Sequence, residues 1–377
     1  MTMTHKQRIE TAWSFREPDR IPIEVNISAH AQRYPAGTRL MELINDKADN
    51  LEGVPGLNSG FFGFPIHRQE ETIIEDQPGR HHKKRHVLET AAGTFTAITY
   101  HPVDDVDYHW EKRYIATFDD FLRLTDTPRA PLTWNKVKWQ ERAAHIGERA
   151  LPIIGLEHPL GALVRNVTME SVYAWFYEER ETMHRFLESA NTQIANSLDA
   201  MMRDGIGPYF AITAHEMLLP PWMGHALFDE FVFPYDKRVN DVIHRYGGKL
   251  RAHCHGNCMD FLEQMADMGI DAIEPLEHPP AGDVNLAEAK RRVGHRMMLS
   301  GNIASERFIF ATPKEVREEV KTAIRVAAPG GGFALRTSGG HAGTCMQVPD
   351  NVMAKVLANV EAFIQAGLDY GQYPIRR

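Results

Sequence analysis

The sharpest chemical feature of the chain is a pair of histidines one residue apart, His253 and His255, within Arg251-Ala-His-Cys-His-Gly-Asn-Cys258. Side chains alternate along a strand, so both imidazoles turn to one face and Cys254 turns to the other, towards a helical layer. Two imidazoles with a carboxylate such as Glu274 suit zinc, or iron(II) in a two-histidine-one-carboxylate set. Without a metal, the same pair would be hydrogen-bonding histidines at a strand end. His215-Glu216 precedes Leu-Leu-Pro-Pro; the pair is a candidate acid/base, although Glu216 could equally cap the next helix. Arg336 can clamp a carboxylate or phosphate through two N–H groups, or serve a structural ion pair. Glu24, Asn26 and Asn302 are polar groups at strand ends with the reach to bind substrate. His341 and Cys345 fall in a glycine-rich loop, where His341 is a candidate fourth metal ligand and a plain surface loop is the alternative. Cys254 and Cys258 lack CxxC spacing, and Cys254 reads as a small buried apolar residue. The run Arg80-His-His-Lys-Lys-Arg-His86 reads as a solvated edge without function.

These groups need elements that bring them together. Apolar, strand-like runs occur at 20–27, 151–155, 209–214, 249–255, 271–275, 297–301 and 333–337. Helical spacing of three or four separates most of them. Between 181 and 203, Met183, Phe186, Leu187, Ala190, Ile194, Leu198 and Met201 share a face. Thr312-Pro313 opens another helix, a last one follows Pro349, and a first covers 5–15. Strands alternating with helices imply a parallel sheet. An eighth strand, expected between 53 and 66, would close the sheet into a (β/α)8 TIM-type barrel with an N-terminal extension. The turn-rich alternation from 70 to 110 predicts an antiparallel hairpin insertion within one domain spanning 1–377. A doubly wound sheet is the competing fold, but no GxGxxG follows any strand. In a barrel the chemistry lies where strands end. Glu24, Glu157-His158, His215-Glu216, His253-x-His255, Glu274 and Glu277, Asn302 and Arg336 all stand at such ends.

The chain has 377 residues and 43% hydrophobic content, enough for a large core. A net charge of −8 argues against a nucleic-acid or anionic-membrane surface. No run of about 18 apolar residues exists to span a membrane, and MTMTHKQRIETAW has no apolar signal region. Three cysteines are too few for a disulfide framework and suit a reducing cytoplasm.

Several segments carry a resemblance. Arg16-Glu-Pro-Asp-Arg-Ile-Pro22, Phe228-x-x-Phe-Val-x-Pro-Tyr235 and the Tyr-Gly-Gly before the fifth strand occur in the order of the uroporphyrinogen decarboxylase superfamily. So do His253-x-His-Gly-Asn257, Gly269-Ile-Asp-Ala, Leu299-Ser-Gly-Asn302 and the pattern around Asn359. The chain most resembles the methyltransferase-like branch, which includes methylcobalamin:coenzyme M methyltransferases. The resemblance spans nearly the whole chain, is weakest between about 30 and 115, and implies a (β/α)8 barrel. True decarboxylases carry an Arg-rich N-terminal segment of the RQAGRY kind, which this chain lacks. The alkyl-transferring relatives use zinc held by His-x-Cys on strand five and a cysteine near strand eight, where the metal makes a thiol substrate nucleophilic. Here His253 matches the family histidine, while His255 stands in place of the cysteine. The strand-eight cysteine falls near Gly340 or His341. Imidazoles in place of thiolates make a harder, more Lewis-acidic site.

The resemblance therefore implies a zinc- or iron-dependent methyl- or alkyl-transferase acting on a small molecule at the barrel mouth. The expected ligands are His253, His255, Glu274 and His341. A decarboxylase or other lyase of a small carboxylated substrate is the alternative, with Arg336 holding the carboxylate. A subunit that docks a corrinoid protein is the third reading. No DxHxxG corrinoid motif is present, so any corrinoid would sit on a partner protein, and a homodimer is compatible with a barrel of this size.

Overall fold

The structure is a computed structural model that describes residues 2–103, 107–338 and 349–375. His341 and Cys345 lie outside the described residues. In chain order the strands are β1 (Ile23–Glu24), β2 (Leu51–Val54), β3 (Arg68–Gln77), β4 (His81–Thr90), β5 (Gly93–Pro102), β6 (His109–Lys112), β7 (Leu151–Leu156), β8 (Tyr209–Ile212), β9 (Lys249–Cys254), β10 (Ala272–Pro275), β11 (Met298–Ala304) and β12 (Phe333–Ser338). Eight are parallel, in the order β1-β12-β11-β10-β9-β8-β7-β2, with helices on the outside. This is the α/β TIM-type architecture. Strands β10, β11 and β12 are buried on both faces almost throughout, which is why they read as apolar runs instead of alternating ones.

The two ends of this order, β1 and β2, meet through side chains. Val25 N–H donates to Asn50 Oδ1 (3.1 Å), and Asn50 Nδ2 donates back to the Val25 carbonyl (2.9 Å). The neighbouring Asp49 is fully buried. It accepts from Arg8 Nη1 (2.6 Å), Arg20 Nη1 (2.6 Å) and the Ile23 N–H (2.9 Å), and lies 2.8 Å from His5 Nδ1. Arg8 also grips Asp19 at 2.7 and 2.9 Å. The Arg16–Pro22 motif thus acts as a clasp at the seam. Burial would raise the Asp49 carboxyl, but His5, Arg20 and Arg8 together hold it below its ordinary value.

At the start of the strands, Leu151, Ala272, Met298 and Ala334 cluster with Ile9, Ala12 and Trp13 of the first helix, His5–Trp13. Trp13 stacks on Tyr209 with ring centroids 5.5 Å apart. The N-terminal helix thereby plugs the end of the barrel opposite the site.

Two expectations need adjustment. The eighth strand lies at Leu51–Val54, overlapping only the first two residues of the 53–66 window, because Leu-Glu-Gly-Val is too short and too polar to stand out. The insertion is four antiparallel strands, in the order β3-β4-β5-β6, instead of one hairpin. None of the described helices is long and apolar enough to cross a membrane.

We expect Asp49→Ala to cost about 3–5 kcal/mol, because it leaves the buried Arg20 without a carboxylate partner and takes one of two from Arg8. Urea unfolding followed by circular dichroism measures this, and a loss under 1 kcal/mol would contradict the clasp.

Candidate active site at the barrel mouth

Leu51, Ile153, Ala211, Thr213, Arg251, His253, Glu274 and Arg336 surround a cavity of about 310 Å³. These residues come from β2, β7, β8, β9, β10 and β12, or immediately follow them, as expected for a site inside a barrel. One wall is apolar (Leu51, Ile153, Ala211) and the other is charged.

The charged wall is a network. Glu24, 2% exposed, accepts Ser300 Oγ at Oε1 (3.0 Å), and Arg251 Nη2 (2.9 Å) and Arg336 Nη1 (3.0 Å) at Oε2. Glu274 lies 3.5 Å from Arg251 Nη2 and 2.9 Å from Arg336 Nε. The second contact is an ion pair without hydrogen-bond alignment. Burial alone would raise the Glu274 carboxyl; the Arg251 charge, the His253 hydrogen bond and Arg336 hold it well below the usual carboxylate range.

Each histidine of the pair is gripped by its own carboxylate. His253 Nδ1 lies 2.9 Å from Glu274 Oε1, and His255 Nδ1 lies 2.9 Å from Glu277 Oε1. Glu277 also accepts the Gly256 N–H at 2.8 Å. The hydrogen bond to Glu277 raises the His255 pKa despite partial burial. The two rings stand nearly perpendicular with centroids 4.5 Å apart, which confirms that they share a face. Carboxylates at Nδ1 leave the Nε2 atoms as the outward ligand positions, the arrangement metal-binding histidines adopt. Each histidine is thus oriented as a metal-binding histidine is, and the pair supplies two such nitrogens among the described residues. Glu274 does not fit as a ligand, since His253, Arg251 and Arg336 engage it; it orients His253 instead.

The remaining expected residues are spread over a wider area. Glu216 is half-buried and its charge reaches His255, while its Oε2 is buried without a hydrogen-bond partner. His215 is fully buried outside the cavity lining and contacts Asp236 Oδ2 at 3.0 Å. His158 Nε2 lies 2.9 Å from both Asp236 oxygens. Ligand-type atoms of His158, His215 and Asp236 lie within 4.8 Å of one another. The Gly161 N–H donates to His158 Nδ1 (2.8 Å), however, which places the His158 proton on Nε2. That nitrogen is then a donor to Asp236 and not a metal ligand, so the trio is a buried strap holding the segment that carries Glu216. Asn26 is exposed and caps its own Ile27 N–H (2.9 Å). Asn302 is buried in β11 beside Arg336 of β12. A hydrogen bond with Cys258, together with burial, raises the Cys254 thiol, in keeping with an inert packing residue.

Arg251, Glu277 and Glu157 carry more weight than their sequence context suggests. Arg251 lies two residues before His253, so the alternation that pairs His253 with His255 extends to it. Glu157, at the end of β7, borders a small pocket with Phe62, Leu132 and Phe186. Burial pushes its carboxyl up to about 7. A raised carboxyl binds its proton more tightly in the folded state, so the stability it supports is full below about pH 4.5 and is lost as pH rises through 7. Glu157→Gln should therefore be more stable than the parent at pH 8 by up to about 3 kcal/mol, with little difference at pH 4.5. Parallel denaturation curves at the two pH values decide this; an unchanged difference would refute it.

The sequence pattern of the uroporphyrinogen decarboxylase (URO-D) family matches residues 135–362. The uroporphyrinogen decarboxylase of Cupriavidus necator is 31% identical over 194 residues, covering 49% of this chain and 50% of that one. That of Shewanella loihica is 26% identical over 180 residues, covering 46% and 47%. The chain thus spans about half the length of the curated relatives it matches. Among solved structures, a methyltransferase from Methanosarcina mazei superposes with a TM-score of 0.58 at 16% identity, covering 96% of this chain and 99% of that one. With more than half of its length matched by the family pattern, and with that match running from β7 to the last helix through every histidine of the site, the chain belongs to the uroporphyrinogen decarboxylase family.

Proposed function

We propose that this protein is a metal-dependent methyl- or alkyl-transferase acting on a small molecule in the barrel-mouth cavity. The observation that carries the reading is the pair of carboxylate-held histidines, His253 with Glu274 and His255 with Glu277, each at 2.9 Å. The M. mazei methyltransferase with the same overall fold supports it.

Glu274 and Glu277 fix the ring orientation and the tautomer of the two imidazoles, keeping protons on Nδ1 and lone pairs on Nε2. His253 and His255 would hold zinc or iron there, which when bound would supply Lewis acidity towards a substrate heteroatom. Glu216, whose charge is felt at His255, would take up the proton that the substrate heteroatom gives up. Leu51, Ile153 and Ala211 exclude water from one side of the reacting group. A corrinoid, if one takes part, comes on a partner protein.

One observation disfavours decarboxylation of a porphyrinogen. Arg336, the expected carboxylate clamp, is already paired with Glu24 and Glu274.

The test is elemental mass spectrometry of protein purified without a histidine tag, beside a His253→Ala/His255→Ala variant. We expect about one zinc or iron per chain, lost in the double variant, and a metal affinity lowered about 10- to 100-fold in Glu277→Gln. Folded parent protein without metal, even after incubation with zinc, would sink the proposal.

A further inference from the structure

Glycine weakens a strand, because it gives up more backbone freedom on folding than other residues and packs no side chain. Three glycines nevertheless stand in the eight parallel strands: Gly53 in β2, Gly155 in β7 and Gly301 in β11. Gly301 has a packing reason, since a β carbon there would lie 2.5 Å from the Pro275 carbonyl oxygen. Gly53 and Gly155 have none. A β carbon on either would meet no atom of the described residues within 4 Å, and neither has a left-handed φ. Neither the backbone nor the packing excludes a side chain at these two positions.

Both glycines face the cavity. In the parallel register Gly53 pairs with Ile153, and Gly155 pairs with Ala211. Paired residues of neighbouring strands point to the same side of a sheet, and Ile153 and Ala211 line the cavity. The two glycines are exposed, whereas Val54, Ile154 and Leu156, on the opposite face of the same strands, are buried. A parallel barrel ordinarily fills its interior with bulky branched side chains. Here two inward positions on adjacent strands are left bare. In the order of eight, β2 stands four strands from β10, so the bare side lies across the barrel from Glu274. Strands about 4.8 Å apart with one empty position each give room for a body about one ring wide.

We propose that Gly53 and Gly155 are specificity-determining residues, which keep a side-chain-free shelf on β2 and β7 for the apolar body of the substrate. Leu51, Ile153 and Ala211 make the surroundings of the shelf apolar, and the polar end of the substrate turns to His253 and the charged wall. The inference rests on the cavity being the active site, and it adds a substrate class: small molecules with an apolar body about one ring wide.

The test compares the parent protein with Gly53→Val and Gly155→Val by thermal unfolding and by ligand-observed NMR. The probes are benzyl alcohol and ethanol, which carries the same hydroxyl without the ring. We expect benzyl alcohol to bind the parent at least about tenfold more tightly than ethanol, from burial of the ring. Each valine should weaken benzyl alcohol at least about tenfold, with the alanine variants in between. Each valine should also raise the melting temperature by about 1–2 °C, because valine suits a strand better than glycine. A residue with a merely structural role would not lose ligand while gaining stability. Benzyl alcohol binding the parent no more tightly than ethanol would overturn the proposal. So would valine variants that keep the parent's affinity, or a lowered melting temperature in both, which would mean that the fold itself demands glycine. Metal content is read separately by mass spectrometry. A metal-free protein whose valine variants behave as expected would sink the transferase reading and keep the shelf, and the converse holds.

Discussion

The interaction on which the site depends is the four-membered ion network of Glu24, Arg251, Glu274 and Arg336. These residues come from β1, β9, β10 and β12, so one set of contacts ties four strands together inside the barrel. Buried ion pairs are poor sources of net stability, because desolvation offsets their attraction. Their effect here is geometric: Arg251 and Arg336 engage one Glu274 oxygen each, and this fixes the Oε1 that meets His253 in one orientation. The histidine pair is only as well aimed as that carboxylate.

The network also divides labour between the two histidines. His253 is held by a glutamate locked inside the barrel, whereas Glu277, which holds His255, lies in the loop after β10 and takes a further hydrogen bond from the Gly256 N–H. One imidazole is thus fixed by the barrel and the other by loop-to-loop contacts. Glu216 reaches the same region from the segment after β8, held by the His158–Asp236–His215 strap. Catalytic groups on different strand ends, each supported by separate contacts, are what lets this fold vary its chemistry.

Much of this was legible in the sequence, and the reasons for the rest are specific. Alternation along a strand was enough to put His253 and His255 on one face, and the apolar runs from β7 onward located six barrel strands. The same alternation covered Arg251, which escaped notice because an arginine inside a barrel is unexpected without its partners. Those partners, Glu24 and Glu274, lie 227 residues before it and 23 residues after it. Pairing at such separations has no local signal. Asp49 is a similar case: a single aspartate before a four-residue strand gives no hint that two arginines converge on it. Glu274 was recognised as important but given a ligand's role, since residue type alone does not separate a carboxylate that binds a metal from one that orients a neighbouring histidine.

The joint between β1 and β2 has a consequence of its own. Elsewhere the barrel wall is laced by backbone ladders between neighbouring strands. Here the Asn50 amide, the Asp49 carboxylate and the Asp49 N–H make the link. The wall is therefore joined along this line by a few side chains in place of a ladder. Glu24 lies on β1, at the edge of that line, so the strand that closes the barrel also carries an anchor of the ion network.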